Sequence, residues 1–225
     1  MKAVVLLSGG IDSSTTLAIA RSMGYECYAL TLLYGQTHEK EILSAKQVAL
    51  SLDVMDHRVL ELPRGMFSKS ALTGDIEMPL DRDIELSDGI PDTYVPARNL
   101  IFLSIASGWA EVLDADAVFI GATAMDYSGY PDCRPEFIGS FERTVNLATR
   151  RGVEGRPIQV IAPLLDMKKH QIISKGMELG LDLSLTWSCY LGGEKACGRC
   201  DSCGYRLKGF AEIGIEDPIE YEERE

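Results

Sequence analysis

The chain has 225 residues, 46% hydrophobic and 25% charged, and its 34 acidic against 22 basic side chains give a net charge of −12. That length suits one generous α/β core, or one core with a small appendage. The acidic balance argues against broad nucleic-acid binding, which draws on clustered Lys and Arg, and favours a small-molecule substrate. Met1-Lys2 leads directly into strand-like sequence, and no uncharged apolar run approaches the ~18 residues of a membrane span, so a cytoplasmic protein is expected.

The uninterrupted, β-branched run Lys2–Leu7 predicts a fully buried strand. Helical spacing follows from about Ser13 to Met23, stopped by Gly24. Glu26–Tyr34 reads as a second strand, Glu39–Asp53 as a helix and His57–Leu62 as a third strand. This β-α-β-α-β order implies a parallel sheet with right-handed crossovers. The stretch from Pro63 to Pro96 is irregular, and a loop of that length in a compact domain points to a lid or binding loop. Arg98–Leu113 reads as a helix and Ala117–Ala122 as a fourth strand. A Gly/Pro/Asp loop, Thr123–Phe137, then opens into a helix to about Arg150. Ile158–Leu164 is a fifth strand, and Asp166–Gly180 a helix that Asp166 can cap. A cysteine-rich segment, a short helix near Arg206–Ile213 and an acidic tail complete the chain. The expected architecture is a doubly wound parallel five-stranded α/β domain over 1–185, with a small metal-binding appendage over 186–225.

The turn after the first strand, in "LLSGGIDSSTT" (Leu6–Thr16), is Gly- and Ser-rich and contains one acid. In a parallel sheet, ligands sit beyond the carboxyl ends of the strands. Exposed backbone N–H groups and a helix N-terminus at that edge make an anion site suited to phosphates. Neither G-x-x-x-x-G-K-[ST] nor G-x-G-x-x-G is present there. A tight turn with Asp12 or Ser13 as helix N-cap is the plainer alternative.

Ser8-Gly9-Gly10-Ile11-Asp12-Ser13 resembles the SGG-x-D-S signature of the PP-loop ATP pyrophosphatase superfamily. Further strings follow in order: "YGQTHEKE" (Tyr34–Glu41), "YVPARN" (Tyr94–Asn99), "GATAMDYSGYPDCRPEF" (Gly121–Phe137), "PLLDMKKHQI" (Pro163–Ile172) and "TWSCYLGGEKACGRCDSC" (Thr186–Cys203). Together they resemble the 7-cyano-7-deazaguanine synthase family over nearly the whole chain. "DMKKHQI" departs from that family's usual Thr-Lys-Ala-Glu-Ile-type string, and the spacing from Pro163 and Asp166 favours Lys169 over Lys168 as the functional lysine. The resemblance implies an ATP-dependent C–N ligase that converts 7-carboxy-7-deazaguanine and ammonia into 7-cyano-7-deazaguanine, a precursor of queuosine and archaeosine, with Mg²⁺ and as a homodimer.

On that reading Ser8, Gly9, Gly10, Ile11, Asp12, Ser13 and Ser14 hold the phosphates. Asp12 orients the loop or helps to hold Mg²⁺, because a carboxylate facing bare phosphate would be repelled. Lys169 neutralises phosphate charge, although on charge pattern alone it is a solvated helix lysine. Arg98 suits the substrate carboxylate or a phosphate, and Asn99 reads equally well as a ligand contact or a helix cap. Tyr94, Tyr127 and Tyr130 are candidates to flank a flat ring. Asp126, Asp132 and Arg134 lie in the loop after the fourth strand, where an Asp can accept from the N–H edge of a guanine-like base. His38 is a candidate nucleotide contact, while His57 and His170 are read as structural.

Cys189, Cys197, Cys200 and Cys203 place four thiols within fifteen residues among glycines 192, 193, 198 and 204. The crowding fits a metal better than disulfides. Four sulfurs suit tetrahedral Zn²⁺, and an iron–sulfur cluster also fits the spacing; the family resemblance implies one structural Zn²⁺. Cys27 reads as a core thiol, and Cys133 as a thiol that can face the pocket. Two other functions compete: a tRNA-thiolating enzyme using an iron–sulfur cluster, and a zinc-stabilised nucleotide-binding module without catalysis. The net charge weighs against the first. The presence of Asp12, Lys169 and two long pocket loops weighs against the second.

Overall fold

The computed structural model describes residues 1–35, 40–63, 65–74, 76–82, 89–124 and 130–223. Five strands, β1 (Lys2–Leu6), β2 (Glu26–Leu33), β3 (Asp56–Glu61), β4 (Ala117–Phe119) and β5 (Gln159–Ile161), form one sheet in the order β3-β2-β1-β4-β5. Every pairing is parallel, with Val4 opposite both Tyr28 and Val118. The helices are α1 (Ile11–Ser22), α2 (Lys40–Ser51), α3 (Arg98–Val112), α4 (Pro135–Ala148), α5 (Arg150–Val153), α6 (Lys169–Glu178) and α7 (Asp201–Glu212).

Strand alternation sorts side chains to two faces. Ala3, Val5, Ala29 and Phe119 meet Leu17, Val48, Ile172, Ile173 and Phe210, so α1, α2, α6 and α7 cover one face. Val4, Leu6, Leu30 and Val118 meet Leu103, Ala106, Trp109, Ile138 and Phe141, so α3 and α4 cover the other. With apolar partners on both sides the central strands need no polar face, which is why β1 reads as a continuous apolar run. The chain is doubly wound and reverses direction across the sheet at β1, between β2 and β4. The crevice beyond the carboxyl ends of β1 and β4 is therefore the ligand position of such a sheet.

Several predicted boundaries differ. Strands β4 and β5 are three residues each because the chain beyond them leaves regular pairing, held by Ile120 N–H to Ile161 O at 3.0 Å and Ala124 N–H to Leu165 O at 3.1 Å. The helix expected to reach Arg150 breaks at Thr149, whose side chain accepts from Gly152 N–H and caps α5. Asp166 does not cap α6: a turn closed by Met167 N–H to Leu164 O occupies it, and Lys168 is the N-cap, its N–H bonded to Gln171 Oε1 at 2.8 Å. Nor does Asn99 cap α3, since Ala97 holds that position at φ 56. The last helix begins at Asp201, five residues before the expected start.

The described part of the 63–96 stretch is anchored. Phe67 and Val95 pack with Tyr34 and Leu62 as a separate apolar cluster. Leu80 bridges to Cys200, Arg82 pairs with Asp201, and Arg199 Nε donates to Asp81 at 2.8 Å. The 186–225 segment reaches the body as well: Phe210 enters its core, α7 packs on α6, and Arg206 pairs with Asp217 at 2.7 Å beneath Thr186.

Candidate active site and metal centre

At the end of β1 the chain turns through Gly9 at φ 90, a conformation in which a side chain is strained. A Cβ there would also lie 2.4 Å from the Glu41 carbonyl oxygen and 2.6 Å from the Ala45 nitrogen, so the loop sits directly on α2. The two serines stitch the turn. Ser8 N–H donates to Ser13 Oγ at 3.1 Å, and Ser13 Oγ donates to Gly10 O at 3.1 Å. Gly10 is the N-cap of α1, so neither Asp12 nor Ser13 caps it. Asp12 is free to point outward, where its Oδ1 accepts from Lys169 Nζ at 2.6 Å.

This pair lies on the wall of a cavity of about 250 Å³. Ser8, Gly10, Ile11, Asp12, Ser13, Arg98, Asn99, Tyr130 and Lys169 line it together, from four separate segments of the chain. Lys169, not Lys168, reaches the wall. Gly9 and Ser14 are buried and absent from the lining, and the Ser14 hydroxyl has no described partner. Tyr94 packs at 5.7 Å on the Tyr130 ring, and its hydroxyl accepts from Ala97 N–H at 3.0 Å. Asp132 is turned into the protein, accepting from Asn99 N–H at 2.9 Å. Arg134 is exposed and donates to Pro131 O at 3.1 Å. Asp126, Tyr127 and His38 lie outside the described residues.

Arg98 follows the left-handed Ala97, a costly conformation for a non-glycine residue that fixes the entry of α3. Its Nη1 donates to Tyr34 Oη at 3.3 Å. Tyr34, Glu41, Thr31, Trp187 and Ser188 also line the cavity. Sequence reasoning assigned none of these a role, although Tyr34, Glu41, Trp187 and Ser188 stand in quoted motifs. The available signal was their position: Tyr34 and Glu41 flank the carboxyl end of β2, at the edge where ligands bind. Burial pushes the Glu41 carboxyl up to about 7, against the opposing pull of Arg98. Burial likewise pushes the Cys133 thiol, on the cavity wall, up to about 11. His57 bonds Thr31 at 2.8 Å and His170 bonds Glu212 at 2.6 Å, both away from any metal site among the described residues.

The sulfurs of Cys189, Cys197, Cys200 and Cys203 all lie within 4.8 Å of one another and are buried. Cys197 and Cys203 sulfurs are 3.9 Å apart, near the roughly 3.8 Å edge of a tetrahedron with ~2.3 Å metal–sulfur bonds. Backbone N–H groups of Cys197, Arg199 and Cys200 point at cysteine sulfurs at 3.4 Å, which favours thiolates. The donor set and its spacing fit a metal ion with all four positions filled by protein. The centre is tied to the glycine turn after β1. Trp187 N–H donates to Gly9 O at 2.9 Å, and Lys40 Nζ lies 3.8 Å over the Trp187 ring while donating to Gly193 O at 3.0 Å.

The fold resembles solved structures at low identity. An NMN synthetase from Francisella tularensis superposes with a TM-score of 0.50 at 17% identity, covering 96% of this chain and 78% of that one. A predicted subunit of a tRNA methyltransferase from Methanocaldococcus jannaschii also gives 0.50, at 22% identity over 79% of this chain and 75% of that one. These likenesses concern the fold alone. Sequence relatives are far nearer. Proteins named 7-cyano-7-deazaguanine synthase are 57% identical in Syntrophobacter fumaroxidans (98% of this chain, 96% of the relative) and 55% identical in Saccharophagus degradans (98% and 97%). The relative of that name in Coxiella burnetii is 52% identical over 98% of this chain and 97% of its own. A family model described as queuosine biosynthesis protein QueC matches residues 2–214. With that match spanning the sheet, the Asp12–Lys169 pair and the four thiols alike, the chain belongs to the QueC family.

Proposed function

We propose that this chain converts 7-carboxy-7-deazaguanine and ammonia into 7-cyano-7-deazaguanine at the expense of ATP, in the cytoplasm and as a homodimer. The observation that carries the reading is the Asp12–Lys169 ion pair on the wall of a cavity whose lining also includes Arg98. One cation suits phosphates and the other a substrate carboxylate. The names of the relatives identify the bicyclic base.

ATP is needed because a carboxylate is a poor electrophile with a poor leaving group. Attack of its oxygen on the α-phosphorus expels pyrophosphate and gives an acyl adenylate. Ammonia then displaces AMP to form the amide. A second activation, of the amide oxygen, lets that oxygen depart as the nitrile forms. The chain's share is positioning and charge stabilisation. Residues Ser8–Ser14 receive the phosphates, with backbone N–H groups and the α1 N-terminus supplying positive potential; Gly9 and Ser14 contribute through the backbone. Lys169 holds negative charge on the departing phosphates. Asp12 orients Lys169 and is the carboxylate available to Mg²⁺, which when bound neutralises phosphate charge. Arg98 holds the substrate carboxylate. Tyr130 and Asn99 face the base from the cavity wall, Tyr94 and Asp132 brace that wall, Arg134 holds the turn at Pro131, and Asp126 and Tyr127 remain candidate base contacts outside the described residues.

Residues 1–185 form the ATP-binding body and 186–225 the metal-bearing segment. Cys189, Cys197, Cys200 and Cys203 hold a structural Zn²⁺, which supplies cross-linking and no reactivity. Metal analysis showing one zinc per chain in colourless protein supports this. A brown protein containing iron and sulfide contradicts it.

The test of function is mass spectrometry of 7-carboxy-7-deazaguanine incubated with protein, Mg-ATP and ammonium. Conversion of carboxylate to nitrile that depends on ATP and is abolished in Asp12→Ala establishes the activity. Absence of conversion by metal-replete protein that binds ATP rejects this substrate.

A further inference from the structure

We infer that Glu41 is the specificity-determining residue that reads the N–H edge of the substrate base, an assignment that rests on the proposed function for its substrate class. A 7-deazaguanine presents two different ends. One carries the reacting carboxylate. The other carries a ring N–H beside an exocyclic amine, two donors side by side, for which an ionised carboxylate is the matching double acceptor.

Of the two acids that the sequence places after β4 for that edge, Asp132 is turned away to accept from the Asn99 backbone, and Asp126 lies outside the described residues. On the described wall of the cavity two carboxylates remain, Asp12 and Glu41. Asp12 is occupied by Lys169 at 2.6 Å. No hydrogen bond to the Glu41 carboxylate is found among the described residues, though the charge of Arg98 acts on it. A half-buried carboxylate on the cavity wall without protein donors is stabilised by a ligand that brings two N–H groups.

The position of Glu41 is also well determined. It lies in the first turn of α2, and the bare Cα of Gly9 seats against its carbonyl oxygen and the Ala45 nitrogen. The phosphate loop and the residue that reads the base therefore share one backbone contact. A base held at Glu41 is placed in register with the phosphates.

The experiment has two parallel readouts. Calorimetry measures the binding of 7-deazaguanine, and of its analogue lacking the exocyclic amine, to the wild type and to Glu41→Gln. Steady-state kinetics measures turnover of the corresponding 7-carboxy compounds and the KM for ATP. The wild type is expected to prefer the aminated base by about 10–10²-fold, the range of a hydrogen bond to a charged group. In Glu41→Gln that preference should shrink to within about threefold, with the KM for ATP unchanged. A preference that survives the substitution overturns the inference, as does an equal loss for both bases with a raised KM for ATP, which would mean that Glu41 only props Arg98 or the loop. No binding of 7-deazaguanine to the wild type overturns it too. Glu41-dependent binding without turnover of the 7-carboxy compound upholds the inference and rejects the proposed reaction.

Discussion

Lys169 donates to Asp12 at 2.6 Å across 157 positions of sequence, joining the start of α6 to the first turn of α1. The pair holds an ammonium on the cavity wall, with only 12% of the lysine side chain exposed. Lys169→Met should lower kcat by about 10²–10³-fold, the usual loss when one charge stabiliser is removed. Asp12→Asn should cost a comparable amount. Because each acts through the other, the double variant should fall little below the worse single one. Additive losses in kcat would show two independent roles.

A Cβ at Gly209 would lie 2.7 Å from Lys169 Cγ and 2.8 Å from Ile173 Cδ1. Gly209→Ala should therefore push the lysine stem aside. A shift of this kind costs about 10–10²-fold in kcat, with metal content and circular dichroism unchanged. Unaltered kcat in a folded Gly209→Ala protein would show that α7 does not set the lysine.

Loss of one thiol should be felt at the glycine turn after β1, because Trp187, two residues before Cys189, is bonded to Gly9. Cys200→Ser is expected to lower metal content, to destabilise the chain by on the order of 4 kcal/mol, and to weaken binding of a non-hydrolysable ATP analogue. Intact analogue binding in metal-free protein would separate the two sites.

Burial pushes the thiols of Cys27 and Cys133 up to about 11. Only about one molecule in 10³ then carries the thiolate at pH 8, against roughly a quarter for a free cysteine. Alkylation of either residue in the native protein should be more than about 10²-fold slower than in denaturant, read by mass spectrometry of the peptides. Rapid native labelling of Cys133 would refute its burial.

Thr31 Oγ1 donates to Leu7 O at 2.6 Å, so it accepts from His57 Nε2. Burial, then the charge of Lys46, lowers the His57 pKa below the ordinary 6.5. The unfolded chain thus binds the extra proton more readily, and stability present above 6.5 is lost as pH falls below it. His57→Gln can still donate to Thr31 but cannot take up a proton. Its melting temperature should drop less than the wild type's between pH 7 and about pH 5.5. An equal drop would assign the acid sensitivity elsewhere.

The sequence discloses best what depends on local chemistry. Lys2–Leu6 and its Gly-Gly turn reveal β1 and the turn into α1 because strand burial and turn chemistry are both written in adjacent residues. The four cysteines reveal the metal centre because ligand identity and spacing are the site itself. Glu41 stays hidden because only the folded chain brings it to the cavity that Arg98 also lines. Asp132 misleads for the converse reason: its loop lies at the right edge, but Asn99 claims its carboxylate. The end of β4 is hidden in the sequence because Ile120 and Ala122 are apolar yet leave the sheet to line the cavity.

The hydrogen bond from Trp187 to Gly9 also bears on the order in which the molecule comes into being. Gly9 is synthesised well before Trp187, its partner in this bond. A nascent chain carrying the complete sheet still lacks this tie, the lysine at 169 still lacks α7 behind it, and Arg82 still lacks Asp201. Nucleotide affinity should therefore emerge abruptly only once α7 has been made, because these distant contacts close only after both partners are available.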